Sequence, residues 1–114
     1  MTRILALCLA LSVVAGGALA HSSKEVVTPA EGASVEGSPP EIRMEFDGAM
    51  RITRITLTDG DGAAHALERT DRMAPVTSFV ATPETLPPGD YTVEWRGIST
   101  DGHTMEGGWS FTVE

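Results

Sequence analysis

Two stretches late in the chain alternate strictly between apolar and polar residues. Tyr91, Val93 and Trp95 are separated by Thr92 and Glu94, and Trp109, Phe111 and Val113 by Ser110 and Thr112. A period of two puts the apolar set on one face of a β-strand. Aromatic residues in that set need a second layer to cover them. Glu41 to Asp47 repeats the pattern, with Ile42, Met44 and Phe46 facing one way and Arg43 and Glu45 the other. Lys24 to Thr28, Arg51 to Thr58 and Val76 to Thr82 also read as strands, as does the weaker Ala63 to Arg69, where a helix is the alternative. Turn residues separate them, most clearly Asp59-Gly60-Asp61-Gly62 and the Gly-, Ser-, Thr- and Asp-rich stretch from Gly97 to Gly108, read as a loop. Seven short strands with turns between them predict an all-β domain.

Leu86-Pro87-Pro88-Gly89-Asp90-Tyr91 sharpens the expectation. A tyrosine after such a turn predicts a tyrosine corner, with the phenol bonded to nearby backbone at a Greek-key crossing. The expected architecture is a seven-stranded Greek-key β-sandwich or barrel, immunoglobulin-like, with a cupredoxin-like topology as a variant.

The first twenty residues do not belong to that domain. Arg3 supplies a basic start, Ile4 to Val14 an apolar run, and Ala18-Leu19-Ala20 a small-x-small cleavage site. This is the layout of a secretory signal peptide. The run is too short for a membrane span, which needs about 20 apolar residues. Lipid attachment at Cys8 is a weaker rival reading. Residues 1–20 are therefore read as a removed leader and 21–114 as a single exported domain, 94 of the 114 residues. The only cysteine leaves with the leader, so no disulfide supports the fold. Without Arg3, seven basic side chains face 16 acidic ones, a net charge of −9 with histidines neutral. Such a surface disfavours nucleic acid and anionic membranes as partners.

Cleavage after Ala20 would make His21 the first residue. Its α-amine, with an ordinary pKa of about 8, and its ring can chelate one metal ion together. Asp101-Gly102-His103 adds a carboxylate and a second imidazole within three residues. Alternation of strand direction places the end of the sixth strand level with the start of the first, so His21, Asp101 and His103 are expected at one end of the sandwich. An N,N,N,O set of this kind suits tetragonal copper(II). His65, between alanines after a turn, reads as a surface histidine. Met44 reads as core, Met50, Met73 and Met105 are scattered, and Met105 is expected to pack or lie exposed.

With these residues in view, the mature chain resembles the CopC family of periplasmic copper-binding proteins. The resemblance is carried by His21, Pro29-Ala30-Glu31-Gly32, Pro40 through Phe46, Leu86 through Tyr91, and Trp95-Arg96-Gly97-Ile98-Ser99-Thr100-Asp101-Gly102-His103, with Gly107 and Phe111 beyond. It implies a small Greek-key β-barrel or sandwich holding one Cu(II) per chain through the His21 amine and ring, Asp101 and His103. It also implies sequestration of copper or its delivery to a CopD-type inner-membrane protein or another periplasmic copper protein. No catalysis is implied, and a monomer is expected. Some members bind copper(I) through a methionine-rich loop that contains a histidine. Here that loop would fall near Asp59 to Ala66, where His65 stands among Ala63, Ala64 and Ala66 without thioethers. The copper(I) site is therefore expected to be missing. Two other classes compete with a copper(II) carrier. One is a metal-free immunoglobulin-like interaction module. The other is a histidine-brace copper oxygenase, disfavoured by small size, a single tyrosine and a copper plane filled by Asp101.

Overall fold

The computed structural model describes residues 25–114, so the leader and His21 lie outside the described residues. Eight strands follow in order: β1 Glu25–Thr28, β2 Ser34–Val35, β3 Ile42–Asp59, β4 Ala64–His65, β5 Leu67–Arg69, β6 Val76–Pro83, β7 Gly89–Ser99 and β8 Thr104–Val113. The all-β expectation holds. The hydrogen-bonded path runs β2-β8-β7-β3-β6-β5, with β1 and β4 also on β3.

The long β3 closes this path into a two-layered fold. Its first part pairs with β6 through Ile42 to Glu45 on one side and with β1 through Arg43 to Phe46 on the other. Its second part, Met50 to Asp59, pairs with β7, and Leu57 and Thr58 also pair with β4. Partners change across Asp47-Gly48-Ala49, where the register with β6 also breaks. A strand that exchanges partners in this way turns the corner of a sandwich. Ile42, Met44 and Phe46 are thereby buried with Phe79 and Ala81 of β6, and with Val93, Trp95, Trp109, Phe111 and Val113 of β7 and β8. Phe46 meets Trp95 edge-on at 5.3 Å between ring centres, joining the two layers.

Three differences from the sequence reading have physical causes. The second and third expected strands are one strand. A bulge between Ile52 and Arg54 moves the inward phase from even positions (Met50, Ile52) to odd ones (Ile55, Leu57), which breaks the period of two. The expected Ala63–Arg69 strand is split at Ala66 into β4, paired with β3, and β5, paired with β6. Ser34–Val35 forms a short parallel pair with Thr112–Val113, too brief to show periodicity. Eight strands therefore stand where seven were expected. The tyrosine corner is present: Tyr91 Oη donates to the Pro87 carbonyl, and the ring stacks on Phe111 at 5.7 Å.

Candidate metal centre

The β7–β8 connection is tighter than its composition suggests. Ladder pairing continues through Gly97↔Met105 and Ile98↔Thr104, so only Thr100 to His103 lies between the strands. Glycines make that continuation fit. A Cβ on Gly97 would stand 2.9 Å from the Arg51 carbonyl, and one on Gly107 2.6 Å from the Trp95 indole nitrogen. They are close-approach glycines within strands.

The loop itself is a hydrogen-bonded turn. Gly102 N donates to the Ser99 carbonyl and Ser99 N to that of His103, both at 2.9 Å, while Gly102 takes a φ of 86°. Asp101 organises it: one carboxylate oxygen accepts from Ser99 Oγ and, at 3.3 Å, from the His103 amide. The other lies 2.9 Å from His103 Nδ1. The Ser99 hydroxyl, followed by the His103 amide, holds the Asp101 carboxyl below its ordinary value. Both side chains are largely exposed, 63% for Asp101 and 78% for His103. No described group engages His103 Nε2. An ionised oxygen and an imidazole thus converge on one side of a short turn, open to an incoming cation.

Two segments meet near this turn. Asp101 lines a cleft of about 170 Å³ with Asp47, Met50, Ser99 and Met105, so the corner of β3 forms the facing wall. Asp47 is a second exposed carboxylate there, which the sequence reading passed over as the polar end of a strand. Met105 is half-buried against the core. β1 starts at the same corner, with Glu25 paired to Phe46, next to Asp47. Among the described residues, no group of three or more His, Cys, Asp or Glu side chains is placed to hold a metal. Asp101 and His103 are therefore two donors brought together, and His21 lies outside the described residues.

His65 is more constrained than the surface histidine expected from its neighbours. Its side chain is 14% exposed, with Nε2 2.8 Å from Asp59 Oδ2 and Nδ1 3.0 Å from Glu84 Oε1. Its ring packs edge-on against Tyr91 at 5.4 Å. The Asp59 bond is the main reason its pKa stands above the ordinary imidazole value. Both nitrogens are already occupied by carboxylates on opposite edges of the ring. A surface concavity of about 490 Å³ lies elsewhere, on the outer face of β3, β7 and β8; its lining includes Arg54, Glu94, Arg96 and Glu106, and no imidazole or thiol.

These observations define a class: a small two-layered β-protein that presents an acid–imidazole pair on a hairpin turn beside the start of its first strand. The chain belongs to the CopC domain family, whose model matches residues 25–114. It is 31% identical to copper resistance protein C of Escherichia coli over 111 residues, covering 89% of this chain and 87% of that one. Protein YobA of E. coli K12 is 26% identical over 110 residues, covering 93% and 89%. Among solved structures, CopC from Methylosinus trichosporium OB3b superposes with a TM-score of 0.66 at 23% identity, over 80% of this chain and 94% of that one, a likeness of fold. PcoC, a methionine-rich copper resistance protein from E. coli, gives 0.63 at 28% identity, over 78% and 94%.

Proposed function

We propose that this chain is a periplasmic copper(II)-binding protein that takes up one ion per molecule. It sequesters the ion or passes it to a CopD-type membrane protein or another periplasmic copper protein. In this reading residues 1–20 are removed and the domain 21–114 works as a monomer without catalytic chemistry. The ligands are the His21 amine and ring, Asp101 and His103. One observation carries the reading: the start of β1 and the β7–β8 turn approach the same corner of β3. Glu25 pairs with Phe46, and Asp101 shares a cleft with Asp47. Three residues lie between His21 and Glu25, so four chain steps give a reach of up to about 14 Å in extended form. Neighbours named for copper resistance add support.

The donor set favours copper(II) over copper(I). Nitrogens and a carboxylate suit a tetragonal ion, whereas copper(I) prefers thioethers. Of the described methionines, Met44 and Met50 are core, Met73 is exposed on a loop, and Met105, half-buried against the core, is a lone partly accessible thioether beside Asp101. Copper(II) at these ligands requires the amine and ring nitrogens that hold it to be free of protons, so uptake competes with protons and is favoured as pH rises.

The decisive measurement adds one residue before His21 and compares copper(II) affinity with that of the chain beginning at His21. A large loss is expected, because the extension turns the amine into an amide. Unchanged affinity would remove the terminal chelate from the site. In parallel, the electron paramagnetic resonance spectrum should be tetragonal with nitrogen couplings, and His103→Ala should alter them.

A further inference from the structure

The end of the sandwich remote from the Asp101–His103 turn holds a second arrangement of charged groups that copper binding does not use. Tyr91 and Ser99 are eight positions apart on β7, about 27 Å along a strand. Tyr91 pairs with Asp59, and Ser99 with Met50. At the Tyr91 end, His65 sits between two carboxylates. Asp59 stands at the end of β3, where its other oxygen accepts from the amides of Asp61 and Ala63 and shapes the turn into β4. Glu84 lies on the link between β6 and β7, and its Oε1 also accepts from the Ala66 amide at 3.3 Å. The Glu84 amide returns a bond to the Ala66 carbonyl at 3.1 Å. Tyr91 of β7 completes the surroundings, with its ring against the imidazole and its hydroxyl committed to Pro87.

A neutral imidazole carries one N–H. It can donate to one carboxylate only, and its other nitrogen then turns a lone pair toward the second. Only the imidazolium satisfies both contacts. We propose that His65 is a proton-operated latch: one bound proton ties the β6–β7 link to β4 through Glu84, and loss of that proton frees Glu84 while Asp59 keeps its bond. Asp59 is the retained partner for geometric reasons. Its contact is shorter, at 2.8 against 3.0 Å, and its side chain is 24% exposed against 50% for Glu84. The carboxylates also raise the affinity of the ring for its proton, Asp59 more than Glu84. No metal is required, and the opposite edges occupied on the ring keep the three groups from converging on one ion.

The test uses the chain without added metal. Ring nitrogen shifts of His65 are followed by NMR across its titration, with hydrogen exchange of the Ala66 amide corrected for the intrinsic pH dependence. The ring is expected to carry protons on both nitrogens below its titration, and Ala66 to lose protection above it. In Glu84→Gln, an exposed change that leaves the turn at Asp59 intact, the titration should move down toward the ordinary imidazole value. The amide side chain can itself donate to the bare nitrogen, so protection of Ala66 should then be the same on both sides of the titration. An unmoved His65 titration in Glu84→Gln would overturn the latch. So would equal Ala66 protection in the parent chain above and below its titration.

Discussion

Single glycines in β8 carry more of the packing than their size suggests. Gly107 faces Trp95 across the ladder, and a Cβ there would meet three atoms of the indole between 2.6 and 2.9 Å. Those atoms belong to a rigid ring that is itself 5% exposed and wedged against Phe46. Relief therefore requires movement of the ring or of the strand. Gly107→Ala is expected to destabilise by about 1–3 kcal/mol, the usual cost of overpacking. Gly48 is the control, because nothing lies within 4 Å of a Cβ there and its φ is ordinary. Gly48→Ala should stay within about 0.5 kcal/mol. Urea unfolding monitored by tryptophan fluorescence separates the two, and equal stabilities would show that the indole is not held as described.

At the level of elements, one side chain joins three strands. Arg69 of β5 donates to the Ile52 carbonyl of β3, forms a two-bond fork on Asp71, and lies 5.0 Å over the Phe79 ring of β6. The Asp71 side chain is 6% exposed beneath the guanidinium, which holds its carboxyl below the ordinary value. Arg69→Ala would remove both charge-assisted bonds to that carboxylate and the bond to Ile52, at a cost of about 1.5–3 kcal/mol. Removing Asp71 as well should recover part of the loss, and a thermal-melt double-mutant cycle measures how much. Additive losses would mean the pair is not coupled. The sequence places Asp71 two residues away but does not mark Arg69 for the wider task, because Ile52 and Phe79 lie on other strands. The parts of the fold legible in the sequence are those governed by local alternation: Glu41–Asp47, Val76–Thr82, Tyr91–Arg96, Trp109–Val113, and the Tyr91 corner. The bulge after Ile52 was hidden because it reverses the inward phase. The glycines of β7 and β8 were hidden because close approach and loop formation use the same residue. At the candidate site, the closeness of Asp101 and His103 could be read from their spacing. The cleft wall supplied by Asp47 could not, since it depends on where β3 turns its corner.

Across the whole molecule, protons act on the fold and on the proposed copper site in opposite directions through the neutral range. Asp59 and Asp71 are held below their ordinary 3.8, Asp59 chiefly by His65 and Asp71 by Arg69. Their stabilisation is complete above 3.8 and is lost as pH falls through their folded values. His65 is held above its ordinary 6.5, so its contribution is complete below 6.5 and is lost as pH rises through its folded value. Glu25, raised from 4.5 by partial burial, loses stability on ionising and tilts the curve slightly toward acid. Burial, with the charges of Asp59 and Glu84, raises the Tyr91 phenol above 10.0, which adds a further loss at alkaline extremes. The metal-free chain should therefore be most stable between about pH 4 and 6.5. At the proposed site copper(II) would need the His21 amine and both imidazoles deprotonated, so its stabilising increment should grow over the interval in which the metal-free fold weakens. At a free copper concentration one hundred times the dissociation constant that increment is about 2.7 kcal/mol. Thermal melts with and without copper(II) from pH 5 to 8.5 should thus diverge steadily as pH rises. A copper increment that stayed constant across this range would be inconsistent with an amine and imidazole ligand set, and a metal-free optimum above pH 8 would contradict the charge pairs at His65 and Asp71.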